Sequence, residues 1–181
     1  MKSSVSPMIL TALCAAIIAV LAQIIIPLPL IPITGQTLAI GLVVTILGLK
    51  YGTYAVLLYI SLGAIGLPVF QSFTGGLGIL FGPTGGYIIG FIPTALVIGF
   101  YLEKTRLTFK HAFVANLLGM LVTLAVGAVW LKYVSDISWT GALLSGVVPF
   151  SIVGIIKAGL AAWVGVLVRH RLKQANILRT I

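Results

Sequence analysis

The chain has 181 residues, of which 60% are hydrophobic and 7% are charged, and its formal net charge is +9. A soluble domain has roughly a quarter of its residues charged, and so few polar groups could not cover the surface of a soluble fold of this length. The composition therefore excludes a soluble globular protein and predicts an all-α membrane protein with a single domain over residues 1–181.

Apolar runs of about 20 residues can cross the hydrocarbon core of a membrane as helices. The sequence contains six such runs, and the predicted spans are residues 8–26, 36–49, 53–67, 84–102, 112–133 and 141–168. A proline cluster that begins at Pro27 ends the first span, since proline breaks helices. The second and third spans are short, so loop residues buried in protein must complete their crossing.

The basic residues predict the orientation of the spans. Six spans place both termini on one side, and that side then receives Lys2, Lys50, Lys104, Arg106, Lys110, Arg169, Arg171, Lys173 and Arg179. The opposite segments contain only Lys132. Because cytoplasmic segments carry an excess of Lys and Arg, we predict cytoplasmic N- and C-termini in a bacterial inner membrane. The positive charge is explained by topology and by anionic lipid headgroups, and it does not indicate nucleic-acid binding.

Lys157 is the charged residue that lies far from both ends of its predicted span, 141–168. A charge at membrane depth is rare because hydrocarbon cannot solvate it, so it indicates a functional site and needs a partner. No carboxylate lies within two helical turns of it along the sequence. We therefore predict that a bound anion supplies the counter-charge of Lys157.

Thr34 and Gln36 lie at the start of the second span, after an outer loop that contains no charged residue. A primary amide both donates and accepts hydrogen bonds, so Gln36 can contact a urea-like or amide-like group. The alternative role for both residues is a helix cap, which suits Thr34 better than Gln36.

The loop between the third and fourth spans is long and glycine-rich, and it contains no Lys, Asp or Glu. Glycines expose backbone N–H and C=O groups, and a long loop of this kind is usually a lid or a binding loop. The substrate contacts predicted from this loop and the adjoining span are Phe70, Gly75, Gly76, Thr84 and Tyr87. A plain connector is the alternative for the loop, as a plain interfacial tyrosine is for Tyr87.

The first span contains two pairs of small residues four positions apart, Ala12/Ala16 and Ala15/Ala19. Such pairs allow two helices to approach closely, within one protein or between subunits. The chain also contains no G-x-x-x-x-G-K-[ST] phosphate loop and no His, Asp or Glu cluster suited to a metal. We therefore expect a binding protein that is not an enzyme and has no metal or cofactor.

Four stretches of the sequence together form a recognisable pattern: ITGQTLA at 33–39, GLKYG at 48–52, GAIGLPVF at 63–70 and GPTGGYIIGF at 82–91. With these stretches the sequence resembles one protein family, the BioY family. BioY proteins are the substrate-binding (S) components of biotin transporters of the energy-coupling factor type. The resemblance implies a six-helix S-component fold, a biotin site open to the outside, and coupling to a transmembrane T component and ATP-binding subunits. It also implies that the small residues of the first span dock the T component.

The sixth span departs from the family pattern, which is roughly Pro-Phe-x-Pro-Gly-Asp-x-x-Lys. Pro149, Phe150 and Lys157 match the pattern, whereas Gly154 stands where the family has an aspartate. One helical turn separates positions 154 and 157, so that aspartate would share a face with the lysine. If the family geometry is kept, Gly154→Asp is expected to raise the affinity for the ligand.

Biotin would use each kind of group in the predicted site. It has an apolar bicycle, a ureido group that needs donors and acceptors, and a carboxylate that needs a cation. Lys157 can pair with the carboxylate or donate to the ureido oxygen, so both ligand orientations are open. Another small anionic vitamin-like substrate is the alternative within transport, and a membrane assembly subunit is the alternative outside it. An enzyme acting on lipids would need a nucleophile, base or metal cluster that the sequence does not contain.

Overall fold

The computed structural model describes residues 7–175, 177 and 178, so Lys2 and Arg179 of the predicted cytoplasmic set lie outside the described residues. The helices are α1 (Pro7–Leu21), α2 (Gln36–Ala64), α3 (Leu77–Phe81), α4 (Gly85–Lys104), α5 (Phe109–Val134), α6 (Trp139–Gly146) and α7 (Val148–Gln174). Two short strands, β1 (Ile25–Ile26) and β2 (Ile33–Thr34), and a 3₁₀ turn at Gln71–Phe73 complete the described structure.

Helix α2 is a helical hairpin whose two arms, residues 36–47 and 49–64, are antiparallel. Gly48 breaks the helix with φ 78° and ψ −171°, a conformation that side chains exclude. A Cβ atom on Gly52 would lie 2.8 Å from the Cα atom of Val44. Gln36 and Tyr59, which a continuous helix would separate by roughly 34 Å, are joined by a hydrogen bond of 2.6 Å. With α2 counted as two arms, the prediction of six main helices is confirmed.

Arg169, near the C-terminal end of α7, contacts the turn of this hairpin. Its Nη1 atom donates a hydrogen bond of 3.1 Å to the carbonyl oxygen of Thr45, three residues before the break. Carbonyl groups at the end of a helix lack helical partners, and the dipole there favours a cation. Arg169 thus stabilises the C-terminal end of the first arm and attaches it to α7.

Helix α1 ends at Leu21, five residues earlier than the predicted boundary at 26. After Leu21 the backbone forms a tighter turn than an α-helix, in which the N–H of Ile24 donates a hydrogen bond of 3.1 Å to the carbonyl oxygen of Leu21, three residues earlier. Ile26 then pairs with Ile33, and Ile25 with Thr34, in the two-stranded sheet. The intervening prolines cannot donate backbone hydrogen bonds, so this segment forms an extended hairpin in place of a further helical turn.

The predicted span 141–168 is two helices, α6 and α7, which are separated at Val147 (φ −123°, ψ −53°). Pro149 explains the separation, because its ring removes a backbone donor and clashes with a preceding helical turn. The proline stands in the first turn of α7, a position where it is tolerated. The long loop also contains more structure than expected, namely α3 and the 3₁₀ turn.

The helices pack around α2, which contacts α1, α4 and α7, while α5 contacts α4 and α7. Among the described residues, four helical segments are long and apolar enough to cross a membrane: α2, α4, α5, and α6 with α7. Large apolar side chains such as Ile152, Ile156 and Trp163 are exposed on the outside of α7. An apolar exterior is costly in water and favourable in lipid, so the chain is a multi-pass membrane protein.

The hairpin geometry predicts that Gly48→Ala lowers stability by about 1–3 kcal/mol, because alanine is strained at this φ and ψ. Thermal unfolding in detergent can be followed with a thiol-reactive dye, since the only cysteine, Cys14, is buried. The control is Gly159→Ala in α7, whose added Cβ would meet only Phe113, at 3.8 Å. Equal melting temperatures for the two variants would contradict the assigned conformation of Gly48.

Candidate functional site

One cavity lies between the start of α2, the long loop and helices α4, α5 and α7. It offers about 70 Å³ to the centres of water-sized molecules, enough for several waters, since about 10–15 Å³ holds one. Of the residues predicted as substrate contacts, five line this cavity: Thr34, Gln36, Thr84, Tyr87 and Lys157. The structure therefore brings together side chains from three separate parts of the sequence.

The Lys157 ammonium group contacts the first turn of α2. Its Nζ atom donates to the carbonyl oxygen of Thr34 at 2.7 Å and to Thr37 Oγ1 at 3.2 Å. Both acceptors are uncharged, and the chain's two acidic residues, Glu103 and Asp136, lie in the last turn of α4 and just after α5. Within residues 7–175, 177 and 178, Lys157 is thus hydrogen-bonded without a carboxylate partner.

Thr34 and Gln36 form a small polar network beside this lysine. Thr34 Oγ1 donates to Gln36 Oε1 at 2.7 Å, and the backbone N–H of Gln36 donates to Thr34 Oγ1 at 3.3 Å. Gln36 Nε2 donates to the hydroxyl of Tyr59 at 2.6 Å. Two of its hydrogen-bonding positions are thereby occupied, which fixes the orientation of the amide at the cavity wall.

Tyr87 contributes its ring to the cavity, whereas its hydroxyl is used elsewhere. The ring stacks on Phe150 with 6.0 Å between centroids, and the hydroxyl donates to Gly146 O, at the end of α6, over 2.9 Å. Thr84 Oγ1 accepts a hydrogen bond of 3.3 Å from Gln71 Nε2. Gln71, which the sequence did not single out, also lines the cavity and adds a second amide to its wall.

Phe70, Gly75 and Gly76 do not line the cavity, although the sequence predicted them as ligand contacts. Phe70 is 0% exposed and packs edge-on against Tyr59 in the core. Gly75 abuts the backbone of Leu67, and the N–H of Gly76 donates to Gly63 O at 2.7 Å. These residues attach the long loop to the second arm of α2. The opposite side of the loop, which includes Gln71, faces the cavity.

A second group of polar side chains, Thr94, Asn116 and Thr123, lines the part of the cavity formed by α4 and α5. Thr94 and Thr123 share a hydrogen bond of 2.7 Å between their hydroxyls. Asn116 Nδ2 donates to Ala112 O at 2.8 Å and to Thr45 Oγ1 at 3.0 Å. The sequence analysis missed this group. An amide inside an apolar span is costly in lipid, and that signal could have identified Asn116.

Met120 occupies the space next to Gly154. A Cβ atom on Gly154 would overlap Met120 Sδ and lie 3.1 Å from Met120 Cγ. Both residues line the cavity, so the thioether covers the α7 backbone one turn before Lys157. A side chain at position 154 fits only if Met120 moves, and the expected gain from Gly154→Asp therefore depends on Met120.

The two alanine pairs of α1 lie on different faces. Ala12 and Ala16 are exposed, whereas Ala15 is 2% exposed within the core and Ala19 is partly buried against it. Helix α1 contacts α2 through its inner face. Ala15 is therefore used for packing inside the protein, and of the two pairs only Ala12/Ala16 is exposed on the surface.

The helices surround an apolar cavity whose wall contains one cation and three amides. This arrangement defines a class of protein, a multi-pass membrane protein able to hold a small molecule. Within that class the family is shown by sequence, since the sequence model of the BioY family matches residues 1–174. The chain belongs to the BioY family.

Similar proteins cover nearly the whole chain. A protein of Lactococcus lactis named biotin transporter BioY2 is 42% identical over 167 residues, which is 92% of each chain. The biotin transporter BioY of Thermotoga maritima is 43% identical, over 91% of this chain and 94% of that protein. A crystal structure described as the S-component for biotin from an ECF-type ABC transporter matches with a TM-score of 0.84 and 32% identity, over 91% of this chain and 90% of that one.

The contact between Gly154 and Met120 predicts energetic coupling. Gly154→Ala should stabilise α7 less than the control Gly159→Ala, because Met120 must move. In a Met120→Ala background the penalty should disappear, which gives a coupling energy of at least about 0.5 kcal/mol in a double-mutant cycle of unfolding. Additive effects would mean that the two residues do not share this space.

Proposed function

We propose that this protein captures biotin on the outer side of a bacterial cytoplasmic membrane, as the S component of an energy-coupling factor transporter. The observation that carries the proposal is the arrangement of Lys157 beside the start of α2, in a cavity walled by apolar side chains and the amides of Gln36 and Gln71. The names of the similar proteins from Lactococcus lactis and Thermotoga maritima support biotin as the ligand.

The charge distribution favours an anionic ligand. The N-terminus of a helix carries a partial positive charge, and Lys157 lies against the N-terminus of α2. Two positive groups therefore converge on one end of the cavity without a carboxylate between them. We place the carboxylate of biotin at this end, where it would exchange with the Thr34 carbonyl as the acceptor of Lys157.

The other polar groups suit a ureido ring, which has both N–H donors and a carbonyl acceptor. Gln36, Gln71, Asn116 and the threonine pair Thr94/Thr123 offer amide and hydroxyl groups of both kinds. The rings of Tyr87 and Phe91 supply apolar wall for the bicycle. Ligand binding sites commonly combine apolar walls with a few oriented polar groups in this way.

The basic residues support an orientation with both termini in the cytoplasm. Lys50 at the hairpin turn, Lys104 at the end of α4 and Arg171 at the end of α7 then share the inner side. The start of α2 and the long loop, which both contribute residues to the cavity wall, then lie on the outer side. The chain contains no phosphate-loop motif, so ATP hydrolysis is assigned to partner subunits, which act with a T component.

Two other functions make different predictions. An S component for another small anionic vitamin would keep the role of Lys157 and bind that compound in preference to biotin. A membrane assembly subunit would have no use for a lysine facing an internal cavity, and it would bind neither compound. Binding of labelled biotin to the purified protein in detergent separates the three.

Lys157→Ala is expected to weaken biotin binding at least tenfold, about 1.4 kcal/mol, because it removes a charge-assisted hydrogen bond. Equilibrium binding of labelled biotin measures the change, and biotin methyl ester should lose a similar factor against the unmodified protein. The control is Lys50→Ala, which removes an exposed cation at the hairpin turn. Unchanged affinity in folded Lys157→Ala would remove this residue from the site.

The exposed alanines of α1 are expected to dock the T component. Ala12→Leu combined with Ala16→Leu should reduce co-purification with the T and ATP-binding subunits at least fivefold, because larger side chains prevent close helix approach. Biotin binding by the isolated subunit should not change. Ala125→Leu on the exposed face of α5 adds the same bulk elsewhere and serves as the control. Equal losses in both variants would argue against a specific docking face.

A further inference from the structure

The side chain of Gln23 connects the end of α1 to the loop that covers the cavity. It lies two residues after α1, and its Nε2 atom donates to Ala19 O and to Phe70 O, each at 3.0 Å. Its Oε1 atom accepts a hydrogen bond of 2.9 Å from the N–H of Phe73. One amide thus binds two backbone groups of the segment 70–74, which lies about 50 positions away in the sequence. We name residues 70–74 the lid segment.

The lid segment is not held in place by its own backbone preferences. Ser72 and Phe73 have φ values of 56° and 54°, in the left-handed region that side chains disfavour. Phe73 is 71% exposed, so burial does not compensate for its strain. Strained residues persist only where surrounding contacts enforce them. At Phe73 these contacts are the hydrogen bond to Gln23 and two bonds that close the turn itself, from Phe70 N–H to Thr74 O (2.9 Å) and from Thr74 N–H to Gln71 O (3.3 Å). Of these, the bond to Gln23 is the one that connects the turn to α1.

Two cavity residues depend on the position of the lid segment. Gln71 lies between Phe70 and Ser72, lines the cavity and donates to Thr84 Oγ1. Phe70 packs on Tyr59, whose hydroxyl accepts the hydrogen bond that orients Gln36. Gln23 does not itself line the cavity. It is connected to the amide of Gln36 through Phe70 and Tyr59, and to Gln71 through the backbone of the lid segment.

We propose that Gln23 is a positioning residue that fastens the lid segment to α1 and thereby controls how long a ligand stays in the cavity. The proposal rests on the proposed function for the identity of the ligand, and on the hydrogen bonds of Gln23 for the fastening. A fastened lid retains a ligand that has already entered. Loss of the fastening therefore speeds dissociation more than it alters association.

The test compares the unmodified protein with Gln23→Met, which keeps the side-chain length and removes all three hydrogen bonds. We expect the dissociation rate of labelled biotin to rise about tenfold, with the association rate changed less than threefold. Gln23→Glu should also speed dissociation, because a carboxylate cannot donate to the carbonyls of Ala19 and Phe70. Gln174→Met, at the exposed end of α7, is the matched control and should match the unmodified protein.

Hydrogen exchange provides a readout that needs no ligand. In Gln23→Met without biotin, amides of residues 70–74 should exchange at least tenfold faster, since the Phe73 N–H loses its acceptor, while α4 and α5 keep their protection. A protein that binds no biotin but shows this faster exchange would overturn the function and leave the fastening intact. Normal dissociation and normal exchange in Gln23→Met would overturn the proposal for Gln23.

Discussion

The lysine ammonium in α7 imposes a constraint that organises the surrounding site. Hydrocarbon cannot solvate an ammonium group, so the fold must supply oxygen atoms to Lys157, and it does so from the first turn of α2. This requires the chain to leave α1 early, turn back through the short β hairpin and deliver the Thr34 carbonyl to α7. The same turn places Gln36 beside the lysine. A neutral acceptor satisfies the ammonium without neutralising it, which leaves its charge available to an anion.

The sequence predicted the elements that depend on local composition. Six apolar helices and the depth of Lys157 follow from hydropathy, and the resemblance to the BioY family agreed with both. The sequence did not predict which side of the long loop faces the cavity. Phe70 was expected to line the cavity and is buried in the core, whereas the adjacent Gln71, which had no predicted role, lines it. Asn116 was missed because a single amide gives no periodic signal. The direction in which each loop side chain points is decided by contacts between residues distant in sequence, here Phe70 with Tyr59 and Gln71 with Thr84.

The pair Gly154 and Met120 shows why a family motif transfers incompletely. The resemblance predicts an aspartate at position 154 of α7, and in this structure the thioether of Met120 from α5 occupies the space that a side chain at Gly154 would need. Close packing makes such replacements cooperative, since a void or an overlap at either position carries a cost. The wall of the cavity at Gly154 is therefore apolar, and its shape is set by α5 and α7 together. A motif read along α7 alone could not reveal this.

Helix α7 contacts the first arm of α2 at two levels, through Lys157 at the N-terminal end of the arm and Arg169 at its C-terminal end. Twelve residues separate the two cations, roughly 18 Å along the helix. An anion that took the Lys157 ammonium from the Thr34 carbonyl would exchange only the first of these contacts. The Arg169 guanidinium would still hold the Thr45 carbonyl, so the turn of the hairpin would stay attached to α7 with the cavity occupied or empty.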